Sequence, residues 1–160
     1  MEEKQMAKKW SVDSALVESV AANLVELLPL FPKRLIRLDA LVREHEMPFS
    51  HIQILVLLSE GAMAIGTLSD KLSIAKPNIT PLVDSLREQH YVERVRDARD
   101  RRIVNVCITD SGLEKLQAIQ CSVAKQVAEW PGLFSRSEVK AFNGALSGVI
   151  RMAMEVGAGE

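Results

Sequence analysis

Between residues 94 and 102 the chain carries Arg94, Arg96, Arg99, Arg101 and Arg102 against only Asp97 and Asp100. Guanidinium groups are permanently charged, planar forks that match phosphate oxygens and base edges, so the chemistry of this cluster is recognition of an anion. A second set lies upstream: Thr67, then Lys76, Pro77, Asn78 and Thr80, short polar side chains and one cation of the kind that contact phosphates and reach base edges. Bond-making chemistry has no comparable signature. The chain has no phosphate-cradling glycine loop, no HExxH and no nucleophile elbow, and His45, His51 and His90 have no catalytic spacing. Neither an enzyme nor a cofactor is expected. Cys107 and Cys121 fit neither a disulfide framework nor a metal-ligand cluster, and no neighbouring cation activates them, so Cys107 is expected to pack as a small hydrophobe and neither to act as a redox sensor.

Position depends on two helices and a hairpin. Leu68 and Leu72, four apart, cover one face of a short helix opening after Gly66. Ser73, Ile74 and Ala75 make a turn, and Ile79, Leu82, Val83 and Leu86 then follow the three-four spacing of a core-facing stripe. Lys76, Pro77, Asn78 and Thr80 fall on the first turns of that second helix, off its apolar stripe. Pro77 suits the first helical position, whereas Pro81 falls inside and is expected to bend or loosen its turn. After His90 the period becomes extended: Tyr91, Val92 and Val95, a charged tip DARDRR, then IVNVCI. Val104, Val106 and Ile108 should face inward, with Cys107 on the opposite face. The pattern is a helix-turn-helix followed by a two-stranded wing with a basic tip.

At 160 residues with 48% apolar content the chain is long enough for one domain with a substantial core. A net charge of −1 argues against indiscriminate nucleic-acid binding but not against a local basic surface. No continuous apolar segment reaches the ~18 residues that span a bilayer, and MEEKQMAKKW lacks the apolar run of a signal peptide, so a cytoplasmic protein without a membrane partner is expected. A helical pattern starts at Ser11, with Val12, Leu16, Val20, Leu24, Leu27 and Leu28 on one face. Pro29 and Pro32 should kink or break it before Leu35, Leu38, Leu41 and Val42 resume the stripe.

Ser50 is expected to cap the next helix, with Gln53 reaching back and Phe49 stapled on Ile54. That helix carries the buried run ILVLL to about Glu60, stops at Gly61, and has His51 on its surface. Beyond the wing, Leu113, Leu116, Ile119, Val123 and Val127 mark one helix, and a Ser135–Glu138 capping box opens the last, with Phe142, Leu146, Val149, Ile150 and Met154 on its face. Amphipathic terminal helices without an obvious partner in a small domain point to a dimer.

The order of these features, the wing signature D-x-R-D-R-R at Asp97 to Arg102 and the strand ending in TDSG before a new helix resemble the MarR family of bacterial transcription regulators. The resemblance extends from about Val12 to the C-terminus and is sharp between Phe49 and Gly112. It implies a mainly α fold with a small β wing over 1–160: a winged helix-turn-helix DNA-binding lobe at 48–112 and a helical dimerisation lobe from 11–47 and 113–157. It also implies a homodimeric repressor of a palindromic operator, half-sites about 10 bp apart, released by a small aromatic or anionic effector. By the same resemblance Arg102 enters the minor groove, Asp100 braces it, and Arg99 and Arg101 serve phosphates. The family commonly has a basic residue where Pro81 stands. Trp10, Phe31 and Trp130 are candidates for an effector pocket, with packing as their alternative role. A winged-helix module that binds protein instead of DNA is the competing function.

Overall fold

The computed structural model describes residues 14–96 and 104–157. Contacts divide the chain into two units, 1–39 and 40–160. In the first, helix α1 (Ser14–Leu30) passes into a wider π-helical turn at Phe31–Leu35. Pro29 and Pro32 therefore do not break the helix where they stand. The wider turn accommodates them, and the chain becomes extended only at Ile36, whose N–H still reaches the Phe31 carbonyl at 3.0 Å. Every residue of α1 from Ala15 is exposed. Although Glu18 and Glu26 interrupt the apolar run, Ala15–Leu35 averages a hydropathy of 1.4 and is long enough to cross a membrane by length and composition alone. At 100° per residue Glu18, Ser19, Asn23 and Glu26 fall within roughly 140°, leaving Leu16, Val20, Leu24 and Leu27 on the other side.

The second unit is built on α3 (Phe49–Leu58), whose Ile54, Leu55 and Leu58 are fully buried. Around it lie α2 (Leu38–His45), α4 (Ile65–Leu72), α5 (Lys76–Glu88) and α6 (Asp110–Ala128). A three-stranded antiparallel sheet completes it, in the order β1 (Met63–Ala64), β3 (Val104–Ile108), β2 (Val92–Arg96). The third strand was not expected; two residues carry no periodicity, and β1 exists because Met63 and Ala64 pair with Val106 and Asn105. Leu68, Ile79, Val83, Leu86, Val92 and Val106 join α3 in one core. Val104 departs from the inward pattern, being 38% exposed, because the end of the hairpin runs past the helices that cover Val106. A 3-10 turn at Trp130–Gly132 leads to α7 (Arg136–Gly157). Trp130 packs edge-on against Phe134 and Phe142, centroids 6.0 and 5.4 Å away, which is the packing role. Trp10 lies outside the described residues.

Two local expectations change. Helix α3 begins at Phe49 on an extended Pro48 (φ −56°, ψ 146°), and the Pro48 carbonyl receives the N–H groups of His51 and Ile52, so Ser50 lies inside the first turn and caps nothing. The helix thus starts two residues early, and His51 faces inward: it is 5% exposed, and its Nδ1 is buried without a hydrogen-bond partner. Desolvation lowers its pKa. The Ser135–Glu138 box does form, the Ser135 N–H donating to Glu138 Oε2 at 2.8 Å and the Glu138 N–H to Ser135 Oγ at 3.3 Å.

The TDSG segment ties the unit together. Thr109 caps α6, its Oγ1 accepting the Gly112 N–H at 3.1 Å while its hydroxyl donates to the His90 carbonyl at 2.6 Å. A Cβ on Gly112 would land on the Tyr91 carbonyl oxygen and 2.7 Å from Ile108 Cγ1. Gly112→Ala should therefore destabilise the fold by about 1–3 kcal/mol through overpacking. Gly144→Ala on exposed α7, where a Cβ meets nothing within 4 Å, should add about 0.5–1 kcal/mol by helix propensity; opposite shifts of the thermal midpoint check both.

Burial of neutral His51 has its own pH signature. The unfolded chain binds a proton more readily than the native one, so stability is fully present above the ordinary histidine pKa of about 6.5 and is lost as pH falls toward the depressed native value. Denaturant midpoints measured between pH 7.5 and 5 should fall less in His51→Gln than in the unaltered chain.

Candidate nucleic-acid interface

The recognition pair is α4 and α5, and buried polar bonds set the turn between them. Ser73 ends α4 in the left-handed region (φ 52°), and its N–H reaches the Asp70 carbonyl at 3.2 Å. Ser69, 7% exposed, donates its hydroxyl to the Ile74 carbonyl at 2.6 Å while the Ile74 N–H returns to the Ser69 carbonyl at 3.1 Å. This closed loop leaves Ala75 extended, and α5 starts at Lys76 with Pro77 in its first turn.

Thr67, Lys76, Pro77 and Asn78 are exposed and Thr80 is half-buried, while Ile79, Val83 and Leu86 on the other side of α5 are fully buried. The helix thus presents the polar set that the sequence placed off the stripe. Neither Ala64, which precedes α4, nor Ala75, which precedes α5, offers a side-chain cap, so both positive helix ends lack an acceptor of their own. Lys76 folds back toward α4, its Nζ 3.5 Å from where a Cβ on Gly66 would stand. The ammonium, Thr67 and the first turn of α4 are neighbours, an arrangement that favours an anion. Pro81 does not interrupt α5, which is continuous from Lys76 to Glu88. The Thr80 hydroxyl donates to the Lys76 carbonyl at 3.1 Å, so outward it offers lone pairs and a methyl group.

The charge balance of the wing differs from its sequence count. Arg94 Nη2 lies 2.9 Å from Asp84 Oδ1, and Arg87 Nη2 lies 3.7 Å from the same oxygen. Arg94 is thus matched by an acid on α5, ten residues away and invisible to a count within the stretch, and it does not belong to the free basic tip. Arg96, the last residue of β2, is exposed. Arg99, Asp100, Arg101 and Arg102, with Asp97, lie in 97–103, outside the described residues. Sequence reading missed Asp84; only its i,i+3 relation to Arg87 was available to find it.

One other polar cluster resembles a catalytic set. His45 Nε2 is 3.0 Å from Ser122 Oγ, which donates to Glu44 Oε1 at 2.7 Å, and Lys115 Nζ donates to the His45 carbonyl at 2.9 Å. In a nucleophilic triad the acid orients the imidazole; here the acid holds the serine proton, and Ser122 is 4% exposed. The cluster is a polar joint between α2 and α6. Cys107 is half-buried, and burial, with Glu93 beside it, pushes its thiol pKa up, the opposite of activation.

Residues 45–103 match the family model described as the MarR family. The uncharacterized HTH-type transcriptional regulator YsmB of Bacillus subtilis is 30% identical over 86 residues, covering 54% of this chain and 59% of its own length. The chain thus spans less than two thirds of that relative. A MarR family protein from Bacillus stearothermophilus has the same fold, with a TM-score of 0.69 at 24% identity over 86% of this chain and 97% of that one. The F27L mutant of MepR from S. aureus, solved bound to an oligodeoxyribonucleotide, gives a TM-score of 0.60 at 16% identity over 82% of this chain and 96% of its own. With the MarR family model matched from the end of α2 through the wing, and with the helix-turn-helix, capped α6 and three-stranded sheet in place, residues 45–103 resemble the MarR family and the chain has the winged helix-turn-helix fold.

Proposed function

We propose that this chain is a homodimeric, cytoplasmic, sequence-specific DNA-binding transcription regulator, a repressor that places α5 of each subunit in the major groove of a palindromic operator. The observation that carries the reading is the polar first turn of α5, exposed beside the uncapped end of α4 while Ile79, Val83 and Leu86 on its other face are buried in the core. Lys76 and Thr67, with the α4 N-terminus, take a backbone phosphate. Asn78 and Thr80 read base edges, Thr80 through its lone pairs and methyl group. At the wing, Arg102 enters the minor groove braced by Asp100, and Arg99 and Arg101 serve phosphates. The resemblance to the MarR family over 45–103 supports these four roles. So does MepR, a structural neighbour whose F27L mutant was solved bound to an oligodeoxyribonucleotide. Release by a small aromatic or anionic effector is the regulatory step the family resemblance implies.

The dimer rests on apolar surface. Leu16, Val20, Leu24 and Leu28 of α1 are between 48% and 73% exposed, and Val149, Ile150, Met152 and Met154 of α7 between 55% and 58%. Patches of this kind on a monomer are costly in water, and a second copy covers them without a new sequence. The carboxylates Glu18 and Glu26 on the opposite side of α1 stay in water in this arrangement, whereas a membrane span would bury them.

Sedimentation at micromolar concentration should give twice the 17.7 kDa chain mass, and Val20→Glu with Leu24→Glu should return the monomer; a wild-type monomer would sink the dimer. On DNA the two kinds of contact should separate. Lys76→Ala should weaken all duplexes alike and flatten the salt slope by about 0.9 unit. Asn78→Ala should relax preference inside each half-site, at about 1–3 kcal/mol for a lost bidentate contact. Selection of binding duplexes from a random pool measures both, and failure to enrich any sequence would remove the reading itself.

A further inference from the structure

Asp84 is an acid on the helix that the proposed function sends toward DNA, where a free carboxylate repels phosphate. Its partner explains its place. Arg94 stands opposite Val106, which stands opposite Met63, so the arginine occupies the middle row of the three-stranded sheet. The side chains of Asp84 and Arg94 retain 36% and 27% exposure, but the atoms that meet, Asp84 Oδ1 and Arg94 Nη2, are themselves buried. They approach to 2.9 Å without hydrogen-bond alignment, so the attraction is Coulombic. Beyond Arg94 the hairpin has little hold on the helices: Val95 is 43% exposed, Val104 38%, and Arg96 is exposed. Among the described residues, the Asp84 contact is the outermost charged tether between wing and recognition helix.

We propose that Asp84 is the positioning residue of the wing: by holding Arg94 it fixes the hairpin's root against α5 and withholds that guanidinium from phosphate. The inference rests on the DNA-binding reading for its consequence, not for its geometry. With the tether intact, helix and wing meet the duplex as one preset unit, and the cost of ordering the wing is met in folding instead of at binding. Arg94 is then a cation that adds nothing to non-specific affinity. Losing Asp84 has two effects of opposite sign: the wing is no longer aimed, and a cation is released.

Three forms test this: Asp84→Asn, Arg94→Gln, and the exchange Asp84→Arg with Arg94→Asp. Without DNA, amide hydrogen exchange should quicken at Val95 and Val104 in Asp84→Asn while α3 keeps its protection, and the exchange form should restore the slow rate. Unchanged hairpin exchange would overturn the tether. With DNA, Asp84→Asn should bind the duplex selected from a random pool about tenfold more weakly, a loss of about 1.4 kcal/mol. Its salt slope on an unrelated duplex should steepen by about 0.9 unit as the freed Arg94 meets a phosphate. The exchange form should recover most of the selective binding, which lost charge alone cannot explain. Tighter binding of the selected duplex by Asp84→Asn, or a slope already flattened by Arg94→Gln alone, would place Arg94 on phosphate from the start and overturn the proposal. If the unaltered chain selects no duplex, the DNA reading fails by itself, and the hydrogen-exchange result still decides the tether.

Discussion

The Tyr91 carbonyl oxygen has one backbone donor and no room for a methyl group. It accepts the Thr109 N–H at 3.0 Å, and a Cβ at Gly112 would occupy its position. Four elements end or begin within reach of it. Helix α5 closes with the Tyr91 N–H on the Leu86 carbonyl at 3.0 Å, His90 turns the chain at φ 61°, β2 departs at Val92, and β3 delivers Thr109 to cap α6. The orientation of the reading helix relative to α6 is therefore set by close backbone approach and not by side-chain packing alone. Backbone contacts of this kind do not repack: a side chain can change rotamer, whereas a carbonyl can move only with its strand.

Helix capping divides the molecule electrostatically. α6 is capped by Thr109 and α7 by Ser135 and Glu138, each helix end satisfied by its own neighbours. α4 and α5 have alanine before them and no side-chain cap, and these are the two ends that lie beside Thr67, Lys76 and Asn78. α3 also lacks a side-chain cap, but its first turn is packed inward through His51 and Ile52. The exposed end of α4 leaves N–H groups and a partial positive charge for a ligand, whereas at α5 Pro77 has no N–H and the Asn78 and Ile79 N–H groups go to the Ala75 carbonyl, so that end offers chiefly its partial charge. This accounts for a chain of net charge −1 presenting an anion-receptive surface: the positive potential comes from backbone and a few placed cations, while the acids are spread elsewhere.

The parts that were legible in the sequence were those with a period or a local partner. The stripe Ile79, Val83, Leu86 and the Ser135–Glu138 box need only three or four residues of context, and both occur as read. The same holds for the exposed polar turn at Lys76 to Asn78. What escaped was set by tertiary contact. His51 sits on a helix apolar nearly all round, where no spacing says which side faces water, and only the packing of α3 among its neighbours decides that it lies inside. β1 is too short to have a pattern. Asp84 and Arg94 are ten apart on a helix and a strand, and only the packing of α5 against the sheet brings the charges together. Pro29 and Pro32 signalled trouble for the helix correctly, but not that a π turn would absorb it.

Pro81 looks like a defect in a recognition helix, and its surroundings give it a physical use. It cannot donate to the Pro77 carbonyl, so the turn between them lacks one ladder bond. The neighbouring Thr80 hydroxyl adds a side-chain bond to the Lys76 carbonyl at 3.1 Å, and the Ala75 carbonyl takes both the Asn78 and Ile79 N–H groups at 2.8 and 3.2 Å. Two fixed proline φ angles and these extra bonds order the first turns of α5 before any partner arrives, reducing the freedom of the unfolded chain as well. A reading surface ordered in advance loses less entropy on binding, which favours selectivity over adaptable contact. On the proposed reading a cation at this place would add one phosphate contact; proline instead gives a more rigid presentation of Asn78 and Thr80. On the proposed reading, with Arg94 paired to Asp84 at 2.9 Å, both departures act in one direction: fewer free cations near a duplex, and greater dependence on groups held in fixed positions.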